Sequence, residues 1–382
     1  WNDLGGSSAL VDGENITSVE ARGNTILAAS DSTWGGGSGR GVFRSTDGGS
    51  TWTRISASGS GLPSGNVSDL VGHPNRPNRF YAGVIGSNAG VFRSDDSGAT
   101  WSRVDSGPLA NNIDPSGENT NKIELAMHSN PGTPTDAVYA AVLNDPDPIE
   151  SEPGDNTNNP TQLDEGGVFR STDQGGSWSM MGAPNTGGQG GIHFAIAAHP
   201  SRENVVYVRG QRPKGFALAD DLEVTLPFSI PGFGNSVEVD VTEEISVAGR
   251  GRPHADAREL EFSANGNMFD TGDGGIYRLD DPSRIRLSLK GYNPARILSI
   301  AASSGSVREV VQGIVRDRIE IGGNWESANG DLQVTELHDI AYDTTSDVIV
   351  GGTQDNGTIH QFSTSSMDWD HVLGGDGGDV II

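Results

Sequence analysis

The chain has 382 residues, 55 of them glycine, and it contains no cysteine, which excludes disulfide bonds and thiolate metal sites. Its formal net charge of −26 argues against nucleic acid and anionic membrane surfaces as partners, because their phosphates would repel it. No strongly apolar run of about 20 residues occurs, so we expect no membrane insertion.

The start of the chain and its composition bear on where the protein works. The first residue is Trp1 rather than Met, so we expect a processed chain or a fragment of a larger protein. An acidic chain of this size without cysteine fits bacterial export better than eukaryotic secretion. The composition therefore favours an extracellular or cell-surface protein of bacterial origin.

Short apolar runs separated by turns recur about every 50 residues along the chain. In the first unit, which starts near 15, residues 16–30 (ITSVEARGNTILAAS) hold two runs on either side of a turn. GVFRS at 41–45 is the third run and WTRIS at 52–56 is the fourth. Further units of the same outline, increasingly divergent along the chain, are placed near 67, 121, 191, 257, 296 and 337.

Four short strands per unit need neighbouring units to cover their faces, and radial closure around an axis provides them. The repeat therefore predicts an all-β fold, a β-propeller of six or seven four-stranded antiparallel blades that occupies residues 1–382 as one domain. Residues 213–250 contain further alternating stretches, LEVTLPFSI and SVEVDVTEEISV, which predict an inserted β-hairpin.

A motif of the form Ser-x-Asp-x-Gly-x-x-Trp lies between the third and fourth runs of the first three units. Its residues are Ser45, Asp47, Gly49 and Trp52, then Ser94, Asp96, Gly98 and Trp101, and then Ser171, Asp173, Gly175 and Trp178. The Asp can accept bonds from backbone N–H groups of a hairpin turn, and the Gly can supply a positive φ. The Trp can pack between adjacent blades. Threefold repetition favours a structural role over an active site.

The three motifs resemble those of the Asp-box propellers, which are also called bacterial neuraminidase repeat propellers. The sequence is most similar to the xyloglucanase-like and sortilin-like branch of that superfamily. In that superfamily the boxes lie on outlying hairpins away from the substrate. The resemblance implies a ligand, glycan or protein, on the opposite face, which carries the loops between second and third strands. The superfamily includes hydrolases, receptors and assembly factors, so the fold does not decide the function.

Several loops on that opposite face carry candidate site residues. The resemblance implies that an Asp preceding Gly-Gly lies near the central cleft, which points to Asp273 and, from the first unit, Asp31 as a general acid and base pair. The expected substrate-binding residues are Trp34, Arg209, Gln211, His254, Asp256, Gln354 and Asp355. The loop at 144–166 clusters carboxylates that could chelate Ca²⁺ through hard oxygens: Asp145, Asp147, Glu150, Glu152 and Asp155. The alternative for this loop is a solvated, mobile segment.

Two functions remain open at this point. The favoured one is a binding or structural module of a larger secreted or surface protein, which contacts carbohydrate or protein and is stabilised by calcium. The alternative is a glycoside hydrolase of the xyloglucanase-like type. Those enzymes build their cleft between two propellers, whereas this chain has the length of one. A sialidase is disfavoured, because Arg44, Arg93 and Arg170 all belong to the repeat. No G-x-S-x-G elbow is present either.

Overall fold

The computed structural model describes residues 11, 14–31, 39–114, 119–129, 136–145, 162–211, 215–230, 234–245, 253, 256–272, 275–280, 282, 285–287, 319–321, 325–329, 337–353, 357–364, 369–373 and 378–382. Within these residues the chain forms six four-stranded antiparallel sheets, which are the blades of a six-bladed β-propeller. The predicted fold class is therefore confirmed. The unit predicted near 296, at 296–325, lies mostly outside the described part of the chain, and its last residue, Trp325, begins the fourth strand of the fifth sheet instead.

Each of the first three sheets runs in chain order from the innermost to the outermost strand. The first contains β1 (Asn15–Arg22), β2 (Thr25–Asp31), β3 (Gly41–Ser45) and β4 (Thr53–Arg54). The second contains β5 (Asn66–Gly72), β6 (Phe80–Ile85), β7 (Gly90–Ser94) and β8 (Ser102–Arg103). After the short helix α1 (Gly107–Asn112), the third contains β9 (Thr120–Ser129), β10 (Asp136–Asn144), β11 (Gln162–Ser171) and β12 (Ser179–Gly182).

The last three sheets follow the same plan with two elaborations. The fourth contains β13 (Phe194–Ala198), β14 (Val205–Gly210), β15 (Gly215–Ile230) and β16 (Gly234–Ile245). The fifth contains β17 (Ala257–Phe262), β18 (Met268–Gly272), β19 (Gly275–Leu279) and β22 (Trp325–Ser327), with β20 (Ile285–Leu287) and β21 (Ile319–Ile321) as a separate pair. The sixth contains β23 (Leu337–Asp343), β24 (Val348–Thr353), β25 (Gly357–Gln361) and β26 (Trp369–Leu373).

Within the range 213–250, the described residues Gly215–Ile230 and Gly234–Ile245 form the long paired strands of the fourth sheet. Only the base of β15 pairs with β14, over residues 216–219, whereas β15 pairs with β16 as far as Ile230 and Gly234. The outer two strands of this blade and the extended hairpin are thus one continuous element.

The second strand of each blade is buried along nearly its whole length, because the neighbouring blades cover both of its faces. β6 and β14 are buried at every position. Apolar clusters fill the spaces between adjacent sheets; one of them joins Leu27 and Val42 of the first sheet to Val67 and Phe92 of the second. This two-sided packing explains why the second run of each unit reads as continuously apolar rather than alternating.

The repeated motif forms a hydrogen-bonded turn with the same contacts in each copy. In the first, the Ser45 hydroxyl donates to Asp47 Oδ1 over 2.8 Å and accepts from the Gly49 N–H over 2.9 Å. The Thr51 N–H donates to the same Asp47 oxygen over 2.8 Å. Donation from the Thr51 hydroxyl also lowers the pKa of Asp47, so the carboxylate stays ionised in the turn.

The second and third hairpins also fasten their blades to the blade before. Arg44 of β3 donates through Nε to the Ser97 carbonyl in the second hairpin over 2.6 Å, and Arg93 of β7 donates to the Gln174 carbonyl in the third over 2.7 Å. Trp101 and Trp178 are buried, whereas Trp52 of the first copy is half-buried. The repeated residues thus act within and between blades.

Described helices are short: α1 has six residues, and no helix in the described ranges is both long and apolar enough to cross a bilayer.

Candidate functional site

The innermost strands enclose a large axial channel. These strands contact one another in the order β1, β5, β9, β13, β17 and β23, and residues 378–382 also line the enclosed space. Its volume is about 1780 Å³, large enough for a ligand rather than a few water molecules.

Carboxylates are strongly in excess on the channel wall. The described lining contains nine acidic residues: Glu14, Glu20, Asp31, Asp69, Glu124, Glu259, Glu261, Asp339 and Asp379. It contains three Lys and Arg residues, namely Arg22, Lys122 and Arg258. Two of these cations are paired, Arg22 with Glu20 at 2.7 Å and Lys122 with Glu124 at 2.8 Å. The channel therefore carries a net negative charge within low-dielectric walls, which focus its field.

A repeated backbone irregularity helps to place these side chains. β5, β17 and β23 each break register with their partner strand just before an acidic residue, at Asp69, Glu259 and Asp339 respectively. A bulge re-aims the residues that follow it. On β17, Glu259 and Glu261 are two positions apart and so share one face of the strand, about 7 Å apart along it.

Burial and mutual repulsion raise the pKa values of several carboxyl groups on the channel wall. Burial raises the pKa of Asp69 well above its ordinary value, and the charge of Glu124 raises it further. Burial raises the pKa of Glu259 in the same way, with a further contribution from Asp339. Burial also raises the pKa of Glu261, although this side chain is exposed to the channel, whose water moderates the effect. Such shifts are common at functional sites.

Asp339 and Asp379 form a carboxyl pair in the channel. Asp339 lies on β23 and accepts a hydrogen bond from the Val380 N–H, and its carboxylate also bonds to the Asp379 carboxyl group. Burial raises the pKa of Asp379, and the neighbouring charge of Asp339 raises it further. Neighbouring carboxyl groups oppose each other's ionisation, so the pair holds a proton more tightly than an isolated carboxyl group would.

One of the two predicted catalytic residues lies in the described part of the chain. Asp31 ends β2, is 8 % exposed, lines the axial channel and accepts a hydrogen bond from the Asn15 side chain. Its predicted counterpart Asp273 lies outside the described residues. The same holds for the predicted ligand contacts Trp34, His254, Gln354 and Asp355. A catalytic role for Asp31 stays a prediction.

The three remaining predicted contact residues meet where the fourth and fifth sheets join. Arg209 of β14 is 2 % exposed, and its Nε lies 2.6 Å from Asp270 Oδ2 of β18. Gln211 Oε1 accepts from the Gly188 N–H over 2.8 Å, and the Gln211 carbonyl accepts from the Asp256 N–H over 3.1 Å. Arg209 therefore fastens two blades, and its side chain is not on the channel wall.

Of the five carboxylates predicted to bind calcium, Asp145 lies in the described part of the chain. The Asp145 N–H donates to the Asn119 carbonyl over 2.7 Å, which continues the end of β10. The other four carboxylates, Asp147, Glu150, Glu152 and Asp155, lie outside the described residues. Elsewhere in the described ranges, no group of three or more acidic or histidine residues is arranged to hold a metal ion.

Sequence reasoning missed the channel carboxylates. Their signal was present in the first run of each unit, where acidic residues alternate with apolar ones, as in ARELEF (257–262) and VSDLVG (67–72). Alternation of this kind marks a strand with one apolar face. The ring then turns the other face of each inner strand toward the axis.

Comparison with known proteins supports the fold of the chain but does not assign the chain to a family. No protein-family model matches the chain, and no curated protein matches it by sequence. Among solved structures, PorZ, a bacterial surface component of the type-IX secretion system of Porphyromonas gingivalis, is 15 % identical with a TM-score of 0.50, covering 93 % of this chain and 41 % of that one.

Two further structures are similar at lower TM-scores. YCF48 bound to D1 peptide is 10 % identical with a TM-score of 0.49, covering 94 % of this chain and 83 % of that chain. An ancestral GH74 enzyme is 16 % identical with a TM-score of 0.44, covering 94 % of this chain and 43 % of that chain. The chain thus spans less than half the length of the PorZ and GH74 chains. At such identities the likeness shows the β-propeller fold alone.

Proposed function

We propose that this chain is an Asp-box β-propeller that serves as a binding module of a secreted or surface protein. Its axial channel takes a cationic segment of a protein partner, rich in Lys or Arg. The observation that carries the proposal is the lining of the channel, where nine carboxylates face three cations around about 1780 Å³. The same composition disfavours anionic ligands, because they would be repelled along the whole wall.

The energetics of the channel favour a ligand that brings positive charge. Clustered carboxylates such as Glu259, Asp339 and Asp69 repel one another, and part of the cost is relieved by retained protons. A Lys or Arg side chain entering the channel relieves the same repulsion and forms charge-assisted hydrogen bonds. Binding should therefore release protons into the buffer at neutral pH and weaken with added salt.

The test uses a fluorescent oligolysine peptide and an oligoglutamate peptide of equal length, with binding followed by fluorescence anisotropy. We expect the double variant Glu259→Gln/Glu261→Gln to weaken oligolysine binding about tenfold or more, corresponding to about 1.4 kcal/mol.

The matched control removes the same charge from the outer surface, as Asp95→Asn/Glu326→Gln. Both control residues are exposed and form salt bridges with arginines outside the channel. Because the chain carries a net charge of −26, some oligolysine binding is expected anywhere on its surface. Equal losses in the two double variants would show that the channel has no special role and would overturn the proposal.

A glycoside hydrolase is the second candidate, favoured by the position of Asp31. This carboxylate ends β2 and lines the channel, where a sugar chain could reach it. If the hydrolase assignment is correct, the protein releases reducing sugar from xyloglucan and Asp31→Asn abolishes the release. A protein that leaves a panel of β-glucans intact would exclude this candidate.

A further inference from the structure

We propose that the turn at 199–204, which joins β13 to β14, is an acid-sensitive contact between the third, fourth and fifth blades, and that it opens when the His199 ring takes up a second proton. The inference goes beyond the proposed function, because it does not depend on which ligand enters the axial channel.

His199 is the first residue of this turn, and its ring accepts a hydrogen bond from the turn's own backbone. The His199 N–H donates to the Val205 carbonyl over 2.9 Å, and the Ser201 N–H donates to His199 Nδ1 over 3.1 Å. Since Nδ1 is an acceptor, the single proton of the neutral ring lies on Nε2. The turn is therefore closed around a neutral imidazole.

The same residue contacts three blades. The Nδ1–H of His128, on β9 in the third blade, donates to the His199 carbonyl over 2.6 Å. The His199 ring packs against Phe262 of β17 in the fifth blade, with ring centroids 6.0 Å apart, and against Tyr207 of β14 at 6.1 Å. Because His199 is 2 % exposed, these contacts are sheltered from bulk water.

A second proton on the His199 ring is incompatible with these contacts. The proton must go to Nδ1, and a protonated Nδ1 cannot accept the hydrogen bond from the Ser201 N–H. Among the described residues, none accepts a hydrogen bond from the other ring nitrogen, Nε2. A charged His199 would thus lose its turn contact and remain buried beside two aromatic rings, so the turn must open to hydrate it.

The charged groups around the turn add to this effect. Those that act on His199 are Arg202 in the same turn and His128, and both oppose a second positive charge. Glu203, also in the turn, lies 3.8 Å from an arginine of β11, and Tyr207 contributes a phenol, which is neutral at these pH values. Burial, with a smaller contribution from the two cations, lowers the pKa of His199 to about 4.

The second blade has a histidine at the same place in its turn, with one difference. The Asn75 N–H donates to His73 Nδ1 over 3.1 Å, as Ser201 does in the fourth blade. His73 Nε2, however, lies 3.0 Å from Asp136 Oδ2 in the third blade. A positive charge on His73 would therefore meet a carboxylate, and we expect the turn of the second blade to be less sensitive to acid.

The sign of the pH dependence follows from the direction of the shift. In an open, hydrated turn His199 has its ordinary pKa of about 6.5. The closed turn has the lower value, so it binds fewer protons and is weakened progressively as the pH falls from about 6.5 toward 4. Because Ala198, Pro200 and Phe262 line the axial channel, acid should loosen the channel wall at this place.

Hydrogen exchange followed by mass spectrometry tests the turn without any ligand. The measurement is the protection factor of a peptide covering 194–205, corrected for the intrinsic exchange rate, at pH 7.5 and pH 5. We expect protection to be about tenfold or more lower at pH 5, since one unit of pKa shift corresponds to a tenfold change in population. A peptide covering 66–79, around His73, should change less; an equal change in both peptides would refute the assignment to His199.

Two substitutions at one position separate the proton from the contact. His199→Asn keeps a side-chain acceptor that does not titrate, so protection should become independent of pH. A side-chain oxygen suits this position, because Asp343 accepts from the Thr345 N–H over 2.8 Å in the matching turn of the sixth blade. His199→Ala removes the acceptor, so protection should be low at both pH values. The control His73→Asn should leave the wild-type response of the 194–205 peptide unchanged.

Nuclear magnetic resonance of the histidine ring nitrogens in the wild-type protein makes the test independent of whether the variants fold. We expect the His199 ring to carry its proton on Nε2 at pH 7.5 and to titrate well below about pH 6.5. A proton on Nδ1, or titration near the ordinary value, would overturn the proposal. So would protection of the wild-type peptide that is constant with pH, or a pH dependence that persists in His199→Asn.

Discussion

Replacement of Asp270 by Asn tests whether the buried ion pair between the fourth and fifth blades holds the ring together. Asp270 Oδ2 lies 2.6 Å from Arg209 Nε, and the two side chains are 1 % and 2 % exposed. Asp270→Asn leaves the guanidinium of Arg209 buried without the Asp270 charge. Breaking a buried pair from one side costs about 3–5 kcal/mol, so we expect the free energy of unfolding to fall by about that amount.

The double variant Arg209→Met/Asp270→Leu distinguishes a charge effect from lost packing. With both charges removed and apolar groups of similar size in place, the loss should be much smaller than in either single variant. The assay is urea denaturation followed by tryptophan fluorescence and far-ultraviolet circular dichroism. An exposed pair supplies the control: Glu326→Gln, which removes a partner 2.9 Å from Arg278, should cost at most about 1 kcal/mol.

The reasoning would be refuted if Asp270→Asn cost no more than Glu326→Gln. It would equally be refuted if the double variant were less stable than both single variants, because the pair would then be stabilising in its own right.

Three further predictions concern the hairpins and the channel. Gly98→Ala should lower the free energy of unfolding by about 1–3 kcal/mol in urea titrations, because the φ of Gly98 is +78° and an added Cβ would lie 2.7 Å from Leu27. Gly86→Ala, at a residue with φ +88° and open space around it, should lower the free energy of unfolding by less. Equal losses of stability in the two variants would contradict the packing argument. Asp173→Ala should cost about 1–2 kcal/mol by the same assay, since the Ser177 N–H and hydroxyl lose their acceptor; an unchanged denaturation midpoint would exclude the proposed role of the turn. The upward pKa shifts of Asp69 and Glu259 mean that these two carboxyl groups bind protons more tightly in the folded state, so they contribute stability that is lost as the pH rises. Thermal stability at low salt should therefore fall less between about pH 5 and pH 8 in Asp69→Asn/Glu259→Gln than in the wild-type protein; an equal pH dependence in the two proteins would contradict the assigned shifts.

The fold could be predicted because the same short strand sequence recurs along the chain. GVFRS at 41–45, 90–94 and 167–171 coincides with β3, with β7 and with the last part of β11. The fourth unit lacks the GVFRS run, so its sheet was harder to predict. The alternation in LEVTLPFSI (222–230) is the same whether the strand belongs to a blade or to an insertion, and β15 is both.

The site was less accessible to sequence reasoning, because it depends on contacts across the ring. Arg209 follows an apolar run at the edge of a loop, as a ligand-binding residue would, and its partner Asp270 lies 61 positions further along the chain. The pairing of Asp339 with Asp379 likewise joins residues 40 positions apart. Neither separation corresponds to a local period that a pattern search could recognise.

The arginine contacts to consecutive hairpins link neighbouring blades in the first half of the ring. Arg44 reaches the second hairpin and Arg93 the third, so three blades are linked by one kind of bond running in one direction. Arg170 occupies the equivalent place on the third blade, but the fourth has no such hairpin, and the arginine instead lies 3.8 Å from Glu203. The chain of hairpin-to-hairpin bonds thus ends at the third blade, and the joint to the fourth depends instead on apolar packing among Tyr139, Phe194 and Leu218.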